Sequence, residues 1–115
     1  MSVKMFHNPR CSKSRATLQL LAERGIEPEI ILYLQDPPGT DEITRILRLL
    51  NFTPRELMRR GESEYRELGL DQSSLDDREL IEAMAKHPKL IERPIVLANG
   101  KAAVGRPPES ILSIL

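Results

Sequence analysis

Apolar positions along this chain follow three patterns, and each predicts a different element. Val3 to Phe6 is a short apolar run that reads as a buried strand, and Glu29 to Leu34, with Ile30, Ile31 and Leu32 in succession, reads as a second strand buried on both faces. Between them Ser14 to Arg24 carries Leu18, Leu21 and Ala22 at helical spacing and stops at Gly25. A strand, a helix and a strand at this spacing make a parallel unit with a right-handed crossover.

Asp36-Pro37-Pro38-Gly39 breaks the chain, and the periodicity after it is helical. Thr40, Asp41 and Glu42 open a helix through Ile43, Ile46, Leu47 and Leu50. Thr53-Pro54-Arg55-Glu56 is a capping box with proline at the first helical position, predicting a short helix that ends near Gly61. Glu62 to Leu68 predicts another turn or two, and Asp76 with Glu79 starts a helix to Lys86 whose Leu80, Ile81 and Met84 face inward. Further on, Pro94 to Ala98 and Lys101 to Val104 flank Asn99-Gly100, a two-residue hairpin signal, and Gly105-Arg106-Pro107-Pro108-Glu109 leads into a final helix through Leu115. The order is that of a thioredoxin-like α/β fold with a helical insertion, at about residues 40–90, between the β-α-β unit and the C-terminal hairpin plus helix. At 115 residues a single domain, 1–115, is expected, because the insertion and the two-stranded fragment each need a partner to bury their apolar faces.

Charge narrows the function. Seventeen basic and seventeen acidic residues balance, so no overall field favours nucleic acid or an anionic membrane, and any preference for anions is local. No apolar run has membrane-spanning length and the first residues lack the apolar core of a secretory signal, which points to the cytoplasm. The single cysteine forms no internal disulfide, so a redox cycle would take its second thiol from another molecule. His7 and His87 with one cysteine match no standard ligand spacing, and no metal is expected.

Candidate chemistry concentrates in His7-Asn8-Pro9-Arg10-Cys11-Ser12-Lys13-Ser14-Arg15. A helix beginning at or just after Cys11 aims its unpaired N–H groups and positive dipole end at the thiol, and Arg10, Lys13 and Arg15 stand near; all favour thiolate. The charged neighbours argue against a thiol serving as a small buried hydrophobe, since burial would draw them inside. His7 either orients groups near the thiol or ends a strand at the surface; Ser14 either starts the helix or hydrogen-bonds the sulfur. Arg93 precedes Pro94 at the hairpin entrance, where in a thioredoxin-like arrangement a cis proline lies beside the reactive cysteine, and Arg106 leaves the second hairpin strand before Pro107. Arg59 or Arg60 ends the Thr53-capped helix, a place where solvated cations are ordinary. Clustered guanidiniums would bind arsenate, phosphate or sulfate-like groups.

These residues carry a resemblance. His7-Asn8-Pro9-x-Cys11-x-x-Ser14-Arg15, Ile31-Leu32-Tyr33-Leu34 before Pro37-Pro38, Leu68-Gly69-Leu70, His87-Pro88, Arg93-Pro94-Ile95-Val96 and Arg106-Pro107 follow the order of the glutaredoxin-coupled arsenate reductases, the ArsC-like family, which the chain resembles over nearly its whole length. Ser12-Lys13 stands where the best-known members have Gly-Thr and resembles a housekeeping branch. The resemblance implies reduction of arsenate to arsenite through a covalent adduct on Cys11, with glutathione as co-substrate, glutaredoxin as partner and no bound cofactor. It also implies that Arg59, Arg93 and Arg106 bind the oxyanion, with His7, Ser14 and Arg15 in support. Two other readings remain open: a glutathione-dependent thiol transferase, and a non-catalytic adaptor similar to the Spx transcriptional regulators.

Overall fold

The computed structural model describes residues 2–115, and the chain divides in it into two units: Met1–Asp36 with Arg93–Leu115, and Pro37–Glu92 between them. In the first unit, β1 (Val3–Phe6), α1 (Ser12–Glu23), β2 (Glu29–Ile31), β3 (Ile95–Ala98) and β4 (Lys101–Val104) precede a 3-10 segment, Pro108–Ile114. The four strands form one sheet in the order β2-β1-β3-β4. β1 pairs parallel with β2, while β3 pairs antiparallel with both β1 and β4. This is the thioredoxin-like order and set of directions.

Strand alternation builds the core of this unit. Val3 and Met5 of β1, Val96 and Ala98 of β3 and Ala103 of β4 meet Leu21 of α1 and Ile111 and Ile114 of the 3-10 segment in one buried cluster. The hairpin turn is set by backbone conformation: Asn99 and Gly100 both have positive φ, 55° and 71°, as a two-residue turn matched to strand twist requires, and the register pairs Ala98 with Lys101.

Three expectations for this unit are corrected. β2 covers only Glu29–Ile31 and lies at the sheet edge with Ile30 exposed, so its apolar run is not buried on both faces. Helix α1 starts at Ser12, just after Cys11 as expected, but its fully enclosed face carries Ser14, Thr17 and Leu21, and Ala22 is exposed. The last segment is 3-10 rather than α-helical, held by bonds such as Ser110 N–H to the Pro107 carbonyl.

The second unit contains α2 (Thr40–Leu50), α3 (Pro54–Leu57), α4 (Ser63–Glu67), α5 (Asp77–Lys86) and a 3-10 turn, Pro88–Leu90. Both expected capping boxes form, Thr53 with Glu56 and Asp76 with Glu79. Helix α3 ends at Leu57 instead of near Gly61, because Met58 turns extended and bridges to Ile91. α2 and α3 pack on α5. Arg55 ties the unit together: its guanidinium donates to the Tyr65 hydroxyl and to the carbonyls of Leu70 and Gln72, the last two at 2.6 Å. Three acceptors satisfied by one charged fork predict that Arg55→Met lowers unfolding free energy by about 2–3 kcal/mol. A urea midpoint within error of the parent protein would refute that estimate.

Candidate active site

The thiol sits at the junction of a turn and a helix. The Asn8 carbonyl accepts the Cys11 N–H at 3.0 Å, and its Oδ1 accepts the Arg10 N–H at 3.0 Å, so Asn8 closes the loop with both its backbone and its side chain. Cys11 is then the N-cap of α1 with extended backbone, φ −93° and ψ 124°, and its carbonyl accepts from Arg15 N–H. Ser12, Lys13 and Ser14 form the first turn. Arg15 reaches back, its guanidinium donating to the Pro9 carbonyl at 2.9 Å.

Charged neighbours have not kept the thiol exposed. Cys11 is only 8% exposed, while Arg10, Ser12, Lys13 and Arg15 all face solvent and Ser14 is enclosed. An N-cap can be covered by the chain opposite while its sequence neighbours fan outward, which the one-dimensional pattern does not register. Cationic groups lie against the sulfur. The Arg106 guanidinium donates to Cys11 Sγ at 3.5 Å, and its Nε donates to the Arg93 carbonyl at 2.7 Å.

Burial is the largest influence on the thiol and pushes its pKa up; against it, the Ser14 N–H, the Arg93 side chain, the Lys13 N–H and the Arg93 charge pull it down, and the result lies below the ordinary thiol value. The sign for stability follows. A thiol held lower in the folded than in the unfolded chain adds stability that is complete above the unfolded value, about 8.5, and is lost as pH falls through the folded value. Compared with Cys11→Ser, the parent protein should therefore gain stability on going from acidic to alkaline buffer. Parallel urea curves across that range would contradict the shift.

His7 and Ser14 form a buried pair. His7 Nδ1 and Ser14 Oγ are 2.7 Å apart, and the same oxygen accepts the Asn8 N–H at 3.1 Å. Burial first, then the Arg15 charge, hold the imidazole below its ordinary 6.5. Of the two open readings for Ser14, the hydroxyl therefore serves the loop while its backbone N–H favours the thiolate. His7 is enclosed rather than at the surface.

The arginines divide between the units. Arg93 and Arg106 lie in the first unit with Cys11, His7, Ser14 and Arg15, and both X-Pro bonds that follow these two arginines, Arg93-Pro94 and Arg106-Pro107, are cis. Arg59 belongs to the second, where its guanidinium meets Glu62 at 3.1 Å and Glu92 at 3.0 Å; Arg60 is exposed. The Asn8-Pro9 turn is found where the sequence places it, but that the Asn8 side chain closes the loop on the Arg10 N–H was not foreseen. Sequence reasoning passed over Thr17 and Gly105, whose proximity no local pattern announces.

A thiolate at a helix start beside two guanidiniums can attack, or be attacked by, an anionic electrophile. Comparison with known proteins places the chain among proteins named arsenate reductase. A model described as the ArsC family matches residues 6–114. The chain is 55% identical over 114 residues to a protein of Neisseria meningitidis serogroup A named arsenate reductase, spanning 98% of this chain and 97% of that one. It is also 55% identical to the uncharacterized protein YfgD of Escherichia coli K12, over 98% and 96% of the two chains. A solved structure of arsenate reductase from Vibrio cholerae superimposes with a TM-score of 0.98 at 52% identity, covering 100% of this chain and 98% of that one.

Proposed function

The chain belongs to the ArsC family, and from that premise we propose that it reduces arsenate to arsenite with Cys11 as nucleophile. The observation that carries the proposal is the Arg106 guanidinium at 3.5 Å from a sulfur placed at the start of α1. The thiolate attacks arsenic, an S–As bond forms, and an arsenate oxygen leaves as water after protonation. Glutathione then attacks the adduct. Arsenic takes up two electrons and departs as arsenite, and the sulfurs of Cys11 and glutathione, each oxidised by one electron, are joined as a mixed disulfide. Glutaredoxin reduces that disulfide, supplying the thiols that a chain with a single cysteine lacks.

Within the first unit each group has a task in this scheme. Arg93 and Arg106 hold the oxyanion and balance the charge that gathers on it; their forked donors suit a tetrahedral anion better than lysine would. Ser14, His7 and Arg15 hold the loop that presents the thiol. For Arg59 as a third oxyanion ligand, the support is the family resemblance alone.

The test is the rate of Cys11 alkylation against pH, with and without arsenate, followed by mass analysis after arsenate and glutathione. A depressed thiol pKa, protection by arsenate and a final mass increased by one glutathione are the expected results. A depressed pKa with no arsenate protection would transfer the assignment to thiol exchange on glutathionylated proteins.

A further inference from the structure

The two arginines reach the thiol from the ends of strands that approach one another where the β3–β4 ladder finishes. The last ladder pair is Ile95 with Val104. Beyond it the Gly105 N–H still donates to the Pro94 carbonyl at 2.9 Å, and one residue further the Arg106 side chain replaces the backbone donor, its Nε reaching the Arg93 carbonyl. Arg93 and Arg106 are thus set by where Pro94 and Gly105 sit.

Gly105 lies between the thiol helix and Pro94. A Cβ added at Gly105 would run into Thr17 Oγ1 and would lie 2.7 Å from Pro94 Cγ, closer than real Cβ contacts come. Gly105 is buried and its φ is not positive, so glycine is required by the approach and not by backbone conformation. Thr17 is wholly enclosed, and its hydroxyl donates to the Lys13 carbonyl at 2.8 Å, which fixes the position of the oxygen against which Gly105 lies. Lys13 is in the first turn, and its N–H is one of the groups that lower the thiol pKa. Thr17 therefore joins the turn that presents Cys11 to the Gly105–Arg106 segment, and through Gly105 to the Arg93–Pro94 segment bonded to it.

We propose that Thr17 and Gly105 are positioning residues of the thiol site: Thr17, anchored on the Lys13 carbonyl, is the stop against which Gly105 seats, Pro94 packs on the other side of Gly105, and this sets the separation of Arg93 and Arg106 from the Cys11 sulfur. Neither residue touches the reacting atoms. The inference rests on Cys11 being the nucleophile, and its readout does not involve arsenate.

The experiment measures iodoacetamide alkylation of Cys11 from acidic to alkaline pH in the intact chain carrying Thr17→Val, Thr17→Ser, Gly105→Ala or Ala103→Val. Thr17→Val places a methyl where the hydroxyl was and removes the bond to the Lys13 carbonyl; Gly105→Ala drives a methyl into the contact. Both should raise the thiol pKa by about one unit, which is about a tenfold smaller thiolate fraction, and so slower alkylation, at a pH below both values. Thr17→Ser keeps the hydroxyl and should retain the parent profile. Ala103→Val overpacks the core of β4 two positions earlier and is a control for lost stability; its profile should also be unchanged. Should Gly105→Ala fail to fold, the Thr17 pair decides the matter. A parent-like profile in Thr17→Val, or an equal shift in Ala103→Val, overturns the proposal. Absence of arsenate protection in the parent protein would instead remove the proposed substrate and leave this inference standing.

Discussion

Cys11→Ser is expected to lose arsenate turnover by about a thousandfold or more, to the background of the assay, because serine at neutral pH offers neither a thiolate nor a sulfur that glutathione can reduce. The variant should nevertheless fold. Serine is among the preferred N-cap residues, and position 11 already has the extended backbone of a cap, so α1 keeps or improves its start. Loss of activity with unchanged far-UV circular dichroism separates chemistry from folding. The measurement is oxidation of NADPH coupled through glutathione reductase, glutaredoxin and glutathione. Retention of even a tenth of the parent rate would sink the assignment of Cys11 as nucleophile and with it the mechanism.

The second large effect is expected at Arg106. Arg106→Ala removes two interactions at once, the donor 3.5 Å from the sulfur and the Nε bond to the Arg93 carbonyl. A guanidinium beside the sulfur favours the thiolate, and the same group would face charge gathering on a bound oxyanion, so the loss falls on both the nucleophile and the transition state. A decrease of about a hundredfold in kcat/KM is expected, in the range for a single oxyanion donor. Arg106→Lys makes the prediction sharper. It restores a positive charge without the planar fork that spans sulfur and carbonyl together, so it should recover thiol reactivity more fully than turnover. Turnover within threefold of the parent in Arg106→Ala would mean that Arg93 suffices and that the proximity of Arg106 is incidental.

Local physics made much of this protein legible in advance. The Asn99-Gly100 turn, the capping boxes at Thr53 and Asp76, and a helix starting immediately after Cys11 are set by interactions spanning a few residues, and each is found where the residue types place it. The thioredoxin-like fold expected from the order of elements is found, with strand order β2-β1-β3-β4. Errors lie where tertiary surroundings override the local pattern. Ile30-Ile31-Leu32 reads as an interior strand, yet β2 is the sheet edge; Ala22 reads as part of the inward helix face, yet it is exposed and Ser14 and Thr17 are buried with Leu21.

The sequence by itself determined the kinds of element, their order, and a cysteine held at a helix start among basic residues. Only the tertiary structure decided that the sulfur is covered while its charged neighbours are not, and that Arg106 touches it. It also decided that the Arg59 guanidinium lies against Glu62 and Glu92, and that glycine stands at position 105 because Thr17 and Pro94 leave no room for a side chain. The reason is range: caps and turns are satisfied by bonds a few residues long, whereas burial and contact between distant segments depend on the packing of the whole unit, which no window of sequence contains.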